Sequence, residues 1–264
     1  MPFTLAHPAA ILPFAKTKLP LSALVIGAMV PDFEYMLRLS AQSDISHTLR
    51  GLFLFCIPAG VVALWIFHRI LKLPLFALLP GKIQSRLDPL VDGFPFAPIA
   101  RFSLIVAGIV LGAVTHLFWD SITHPDGWMV MHIPLLQRPA LATQFGSPHV
   151  FRILQHASTL FGLGALLAAY SKWHRAAPSR SVDDSFKTPA HQRVRIVSLI
   201  ISISVLLAFI FAAMRAGLPD DFSSIRRFVV LATIAGLDAL IVTGSCYAVI
   251  WYMSADARRA SNFQ

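Results

Sequence analysis

The sequence has 264 residues, of which 56% are hydrophobic and only 13% carry a charge, whereas a soluble globular domain has about 25% charged residues. The net charge of +9 comes from Lys and Arg in the loops between apolar runs, a pattern typical of membrane topology and anionic headgroups. These features exclude an ordinary soluble domain and argue against a nucleic-acid-binding surface.

Two apolar stretches at the N-terminus are too short or too interrupted for a simple membrane span. Residues 1–15 are interrupted by Pro8 and Pro13 and predict a short interfacial or inward-folded helix. Residues 19–37 are borderline in length, and Pro31 is followed by Asp32 and Glu34. Carboxylates at that depth favour a broken or re-entrant helix that lines a polar cavity. A complete span over 19–37 stays open as the alternative.

Five later segments are apolar and long enough to cross a membrane. They are residues 51–71, 102–122, 152–171, 196–214 and 228–253. The chain is therefore predicted to be all-α, a polytopic membrane helix bundle of five transmembrane helices plus the short N-terminal helices. We expect one integral-membrane domain over 1–264, with a motif-bearing part at 1–170, a hydrophilic loop at 171–195 and two C-terminal spans at 196–264. Asp238 lies in the last span, without a predicted partner or role.

Lys and Arg are concentrated in alternate loops. Residues 69–101 carry five of them, residues 172–195 carry six, and the C-terminal tail carries Arg258 and Arg259. Because basic loops stay in the cytoplasm, these three segments are predicted to be inside. The expected location is the bacterial inner membrane, with a cytoplasmic C-terminus and with the polar residues described next facing outside.

One stretch combines an apolar run with ionisable residues. Residues 112–127 read GAVTHLFWDSITHPDG and place His116, Asp120 and His124 four residues apart. Each four-residue step on an α-helix turns about 400°, so the three side chains are predicted to share one face. Imidazole, carboxylate and imidazole on one face form half of a divalent-metal site. The alternative is a polar helix end with histidines placed there by chance.

Metal-competent residues from distant parts of the chain are assigned to the same side of the membrane. They are His7, Asp32, Glu34, His47, His116, Asp120, His124 and His156, with Asp126, His132 and His149 as weaker candidates. Such a set is suited to one or two divalent ions, with zinc as the expected metal. Each residue also has an ordinary explanation. Asp32 suits a helix N-cap, His47 suits a loop, and His156 suits a hydrogen bond to a neighbouring helix.

Four segments, MPFTLAHPAA, LSALVIGAMVPDFEY, SHTLRG and GAVTHLFWDSITHPDGW, together resemble DUF4184, an uncharacterised family of bacterial membrane proteins. The resemblance runs through most of residues 1–170. At lower resolution the pattern is similar to the YdjM-like membrane-bound metal-dependent hydrolases. Those share an early His, a Pro-Asp pair after a Gly-rich apolar run, a later His and a G-x3-H-x3-D segment.

The order of His and Asp also resembles that of the zinc-dependent phospholipase C fold, an all-α protein that binds up to three zinc ions. This resemblance implies six ligands, namely His7, Asp32, His47, His116, Asp120 and His124. It further implies that His156 stands for a later histidine of that family. Leu160 occupies the place of a glutamate ligand in that family, which argues against a third metal.

These observations indicate a membrane-embedded, metal-dependent hydrolase of the phosphoester class. It would act on a lipid or lipid-linked headgroup through metal-activated water, with Glu34 or Asp126 as proton acceptor. The serine-hydrolase elbow and the phosphate-binding glycine loops are absent from the sequence. One alternative is a non-enzymatic polytopic membrane protein with a structural or transported metal. Another is a scaffold whose polar cluster joins helix ends by hydrogen bonds.

Overall fold

The computed structural model describes residues 4–91, 93–140, 147–183 and 186–261, with side chains given as far as residue 254. Within these residues the regular elements are all helical, and one isolated β-bridge joins Pro139 to His149. The all-α prediction is therefore confirmed. The side chains of Arg258 and Arg259, which entered the topology prediction, lie outside the described part of the chain.

Five helices in the described residues are long and apolar enough to cross a membrane. They are Leu49–Ala77, Ile99–His132, Val150–Ala176, Ala190–Ala216 and Phe222–Ser254. Each contains one of the five predicted apolar segments, which confirms the predicted spans and fits an integral membrane protein. The hydrophilic loop is shorter than the predicted 171–195, because one helix continues to Ala176 and the next begins at Ala190.

The N-terminal region consists of short helices. A 3₁₀ helix covers Thr4–Phe14, followed by α1 (Leu21–Gly27), a 3₁₀ turn (Val30–Asp32) and α2 (Phe33–Arg38). Pro31 lies in the first turn of Val30–Asp32, where its missing N–H costs no helical hydrogen bond. The predicted break in residues 19–37 is thus observed, and it places Asp32 between two helices.

Three of the seven remaining helices begin directly after a proline. They are α3 (Leu49–Ala77, with π-helical stretches at Leu52–Cys56 and Phe67–Leu71), α4 (Gly81–Leu87, followed by a 3₁₀ turn at Asp88–Leu90), α5 (Ile99–Thr123), α6 (Trp128–His132), α7 (Val150–Ala176), α8 (Ala190–Ala216) and α9 (Phe222–Ser261). Pro80, Pro98 and Pro189 stand directly before α4, α5 and α8, because proline suits a helix start and cannot supply an interior N–H.

The chain divides into two compact units. Unit 1 comprises Met1–Glu34, Ser43–Leu64 and Pro95–Ala176, and unit 2 comprises Tyr35–Gln42, Trp65–Phe94 and Ala177–Gln264. The expectation of one integral-membrane domain over 1–264 stays a prediction.

Unit 1 is built on a close crossing of α1 and α5. A Cβ atom on Gly27 would lie 2.3 Å from the backbone oxygen of Ile109, and one on Gly112 would lie 2.3 Å from that of Leu24. Only glycine allows two backbones to approach in this way. The apolar cluster of Ile11, Leu24 and Ala28 packs beside the crossing. As a result, the C-terminal end of α1 lies directly against the polar end of α5.

Unit 2 contains the hairpin of α8 and α9. Small residues of α8 are buried at four-residue spacing: Ser204, Ala208 and Ala212. On α9 the buried small residues include Ala235 and Ala239. Small residues let neighbouring membrane helices approach closely. A hydrogen bond of 3.0 Å between Ser204 Oγ and Thr243 Oγ1 joins the two helices.

Candidate metal centre

The end of α5 supplies two buried ligand groups and one at the rim. His116 and Asp120 lie on one face of the helix, and both are buried. The helix ends at Thr123, and His124 has extended backbone angles (φ −109°, ψ 146°), as expected for a residue before proline. His124 Nδ1 nevertheless lies 3.2 Å from Asp120 Oδ1. The predicted grouping of the three residues is therefore observed, with His124 at the helix cap and not inside the helix.

Asp32 enters the same site from the break after α1. Its Oδ2 accepts a hydrogen bond of 2.5 Å from Thr4 Oγ1. Its Oδ1 lies 3.5 Å from His116 Nε2 and 3.6 Å from His47 Nε2. The carboxylate is thus held on one side by the hydroxyl of the N-terminal 3₁₀ helix, while its other oxygen faces two imidazoles.

His47 is presented by a short loop that Glu34 fastens in place. The Glu34 carboxylate accepts hydrogen bonds from the backbone N–H groups of Asp44 (3.0 Å), Ile45 (3.1 Å) and Ser46 (2.7 Å). Ser46 Oγ then lies 2.9 Å from His47 Nδ1. The opposite ring nitrogen, Nε2, lies 3.4 Å from Asp120 Oδ2. The start of α3 follows at once, with the Thr48 side chain as its N-cap.

His7 completes the cluster from the N-terminal 3₁₀ helix. Its buried ring stacks on the ring of His116, with centroids 3.8 Å apart and an interplanar angle of 19°. Its Nε2 lies 3.5 Å from Asp120 Oδ1. Trp119 packs edge-on against the other side of the His7 ring at 5.5 Å. The imidazole is therefore fixed in orientation by two ring contacts.

The hydrogen bonding of His116 determines what its free nitrogen can do. Nδ1 lies 2.8 Å from the carbonyl oxygen of Ala28, so Nδ1 carries a proton and donates it. In neutral imidazole, Nε2 then has a lone pair. That lone pair faces Asp120 Oδ2 at 3.1 Å and Asp32 Oδ1 at 3.5 Å. A lone pair and two carboxylate oxygens repel one another, so the arrangement needs either a second proton on Nε2 or a bound cation between these atoms.

Four residues bring one ligand atom each into a common space. Asp32, His47, His116 and Asp120 have ligand atoms that all lie within 4.8 Å of one another. The closest pairs are separated by 3.1 to 3.6 Å. Ligands 2.0–2.2 Å from a tetrahedral zinc ion lie about 3.3–3.6 Å from each other. In addition, His116 Nε2 and Asp32 Oδ1 have no hydrogen-bond partner among the described residues. The donor set therefore fits a divalent metal ion.

The pKa shifts of His47, Asp32 and His7 agree with this geometry. Burial alone would lower the pKa of His47, but the carboxylates of Asp120 and Asp32 raise it to about 9. Burial likewise favours neutral Asp32, yet His116 and His47 hold its pKa below the ordinary value. The pKa of His7 falls to about 3, because burial and the neighbouring His116 disfavour a charged ring. The carboxylates thus stay ionised and attract positive charge.

Some predicted residues do not join the four convergent ligands. The side chains of His156, Asp126, His132 and His149 are exposed. His132 Nδ1 instead lies 2.7 Å from the carbonyl oxygen of Trp128. Leu160, on the same helix as His156, is 73% exposed and supplies no ligand atom.

The hydrogen bonds of Glu34 do not favour its predicted role as proton acceptor. Both carboxylate oxygens accept backbone hydrogen bonds. Burial would raise its pKa, but the bonds from Ser46, Asp44 and Ile45 lower it to about 2. A carboxylate bound in this way is a poor base, and the contacts give Glu34 the role of a brace for the loop that carries His47. Asp126 as proton acceptor stays a prediction.

Several groups that orient the ligands were not predicted from the sequence. They are the Thr4 hydroxyl, the Ala28 carbonyl, the Ser46 hydroxyl and the Trp119 ring. Thr4 and Ser46 precede ligand histidines by three residues and one residue, which is a weak local signal. The Ala28 carbonyl leaves no signal, because any residue type has one. It lies at the end of α1, where helix carbonyls lack internal partners.

Comparison with known proteins gives a family match over nearly the whole chain. Residues 1–250 match the model of a family described as "Domain of unknown function (DUF4184)". Neither a curated protein nor a solved structure matches the chain.

Proposed function

The chain belongs to the DUF4184 family, and from the geometry of its His and Asp cluster we propose that it is a membrane-embedded, metal-dependent phosphoester hydrolase. The observation that carries the proposal is the orientation of His116, whose Nδ1 is bound to the Ala28 carbonyl while its Nε2 faces two carboxylates. An imidazole with one nitrogen held by an outer hydrogen bond is the usual form of a metal-binding histidine.

The primary metal position is assigned to Asp32, His47, His116 and Asp120, and zinc is the metal that this His and Asp set favours. When bound, a divalent ion supplies Lewis acidity, which makes water a nucleophile near neutral pH. The chain's own part is to hold the ligands. Thr4, the Ala28 carbonyl and the Glu34-bound loop fix three of them.

Asp120 supports a second metal position next to the first. Its Oδ2 faces His47 (3.4 Å) and His116 (3.1 Å), whereas its Oδ1 faces His7 (3.5 Å) and His124 (3.2 Å). Asp120 would hold a second ion together with His7 and His124, next to the four residues of the first position. Paired divalent ions are a common device for phosphoester hydrolysis, because they stabilise the attacking and the leaving oxygen together.

Access to the cluster favours a substrate at the membrane surface. The side chains of His47 and His124 are 20% and 16% exposed to solvent, whereas those of His7 and His116 are only 1% and 0% exposed. The open side therefore lies at the end of the candidate span α5, where a bilayer interface is expected. Trp128, just beyond this end, is 64% exposed, and tryptophan is enriched at interfaces. We propose a lipid or lipid-linked headgroup as substrate.

Metal analysis and phosphoester assays on the purified full-length protein test the proposal. Wild-type protein is expected to contain one or two divalent ions and to release headgroup from phospholipids in mixed micelles. Chelation should stop the reaction, and zinc should restore it. His116→Ala is expected to lose the metal and the activity. His156→Ala, an exposed histidine of the same unit, should retain both.

The outcomes separate the hydrolase from its alternatives. Bound metal without hydrolysis of phosphodiester or phosphomonoester lipids would reject the hydrolase and leave a structural or transported metal. A protein free of metal would leave only a hydrogen-bonded scaffold.

We further propose that the metal centre faces the outside of the bacterial inner membrane and that the C-terminus is cytoplasmic. The distribution of Lys and Arg among the loops supports this orientation. Single cysteines placed in the loop between α7 and α8 should resist an impermeant thiol reagent added from outside. Labelling of that loop in intact cells would reverse the assignment.

A further inference from the structure

The α8–α9 hairpin of unit 2 has a groove of about 640 Å³. Its polar end is formed by Lys187, Gln192 and Ser254, with Trp251 beside them. Along α8 the lining is apolar, with Leu199 and Ile203 among its residues. The groove is thus amphipathic along its length.

The groove is about as long as one membrane leaflet with its headgroup region. From the start of α8 at Ala190 to Ile203 the helix rises by about 20 Å, and half of a bilayer including the headgroups measures about 20–22 Å. At its inner end the groove is lined by Thr243, which shares a hydrogen bond of 3.0 Å with the buried Ser204. A chain that enters at the polar end would therefore stop near the middle of the membrane.

The polar end of the groove lies in a basic region. The segments 65–94 and 177–195 of unit 2 carry eight Lys and Arg against four Asp. Hydrogen bonds hold these segments together: Arg86 Nη1 donates to the Ala177 carbonyl at 2.8 Å, and Arg193 Nη1 donates to the Leu79 carbonyl at 3.3 Å. Lys187 is the basic residue among those that line the groove.

We propose that this groove binds one anionic phospholipid. The phosphate lies at the Lys187 end, and one acyl chain follows Leu199 and Ile203 to the Ser204–Thr243 contact. Basic pockets between membrane helices are suited to anionic headgroups, and Trp251 at the mouth is suited to the interface. A zwitterionic lipid has the same acyl chains without the net negative charge, so the headgroup charge is expected to determine which of the two lipids binds more tightly.

Native mass spectrometry of the full-length protein, titrated with phosphatidylglycerol or phosphatidylcholine of identical acyl chains, tests the charge requirement. Wild-type protein should bind one phosphatidylglycerol molecule. Its affinity for phosphatidylcholine should be at least about fivefold lower, which corresponds to the interaction of one Lys with an anionic headgroup. Lys187→Ala should weaken phosphatidylglycerol binding by about fivefold and leave phosphatidylcholine unchanged. Lys82→Ala is the matched control, since Lys82 is exposed in the same unit and does not line the groove.

Leu199→Trp tests the groove itself, because indole would fill it. Binding of both lipids should fall, whereas Leu206→Trp should bind as wild type, since Leu206 is similarly exposed on α8 but does not line the groove. Equal affinity for the two lipids, unchanged binding in Leu199→Trp, or a dimer that Leu199→Trp dissociates would overturn the proposal. If Leu199→Trp does not fold, the Lys187→Ala comparison decides alone.

Discussion

The two compact units bury different kinds of side chain, although both are built from apolar helices. Unit 1 buries two histidines and three carboxylates, namely His7, His116, Asp32, Glu34 and Asp120. In unit 2 the buried residues of the α8–α9 hairpin are mainly alanines, with Ser204 as a polar member. In the α8–α9 hairpin, helix packing therefore depends mainly on small residues.

The difference indicates where function is concentrated. Ionisable side chains inside a membrane protein are costly and usually serve a function, and a chain that needed only packing could use the alanine pattern throughout. In unit 1 each buried carboxylate has specific partners, and the imidazoles face the carboxylates Asp32 and Asp120. Variants in the two units should therefore differ in metal binding more than in stability.

Asp120→Asn should have the largest effect. The amide loses the charge that faces imidazoles on both sides, so metal affinity is expected to fall by more than about a hundredfold, beyond the loss typical of an outer hydrogen-bond partner. The loss of affinity is measured as the metal content after dialysis against buffered zinc. Asp126→Asn, an exposed carboxylate of the same unit, is the control. Wild-type metal content in Asp120→Asn would contradict the assignment of Asp120 as a ligand.

Gly112→Ala should separate the crossing of α1 and α5. The new Cβ would lie 2.3 Å from the Leu24 carbonyl, so backbone must shift, at a cost of about 1–3 kcal/mol. Thermal unfolding in detergent should show the loss, together with weaker metal binding, because the Ala28 carbonyl moves away from His116. Gly164→Ala has open space around its Cβ, so it should raise stability by at most about 1 kcal/mol and leave metal binding unchanged. Equal effects of the two variants would show that the close crossing is unimportant.

Glu34→Gln should weaken metal binding without abolishing it. Glutamine replaces one accepting oxygen by an N–H₂ group that faces backbone donors, so the loop before His47 loosens. Loss of such an outer partner costs about tenfold in metal affinity. A metal titration with a competing chelator measures the change. Proton-acceptor chemistry by Glu34 would instead leave the affinity at the wild-type value and lower the rate of the metal-loaded protein.

Thr243→Val in unit 2 should have the smallest effect. It removes the hydrogen bond to Ser204 and keeps the side-chain volume. Bonds of this kind between membrane helices contribute about 0.6 kcal/mol on average. The midpoint of thermal unfolding in detergent should fall slightly, and the amount of bound metal should equal that of wild type. Loss of metal in Thr243→Val would remove the distinction between the units.

Much of the candidate centre could be predicted from the sequence, because part of the signal is local. His116 and Asp120 are four residues apart on one helix, and Pro125 ends that helix beside His124. The predicted break at Pro31 likewise placed Asp32 at a helix junction. Asp126 lies in the same polar stretch and was a weaker candidate for metal binding, and its side chain is exposed.

His156 and Glu34 show where local reasoning fails. His156 lies inside an apolar segment, as His116 does, but it faces outward from α7, and the face of a helix is decided by its neighbours. Glu34 follows Asp32 by two residues and has the same chemistry. Its carboxylate nevertheless turns to the backbone of residues 44–46, and the sequence has no pattern that marks such a loop contact.

The sequence by itself determined the five apolar helices and the residues able to bind a metal, because hydrophobicity and helical spacing are local properties of the chain. Only the tertiary structure decided that Asp32, His47, His116 and Asp120 converge, that the Ala28 carbonyl sets the proton position of His116, and that Asp120 faces imidazoles on both sides. These features depend on the approach of α1 to α5 through Gly27 and Gly112. Contacts between segments that are distant in the chain produce no regular residue spacing, so they cannot be recognised in the sequence.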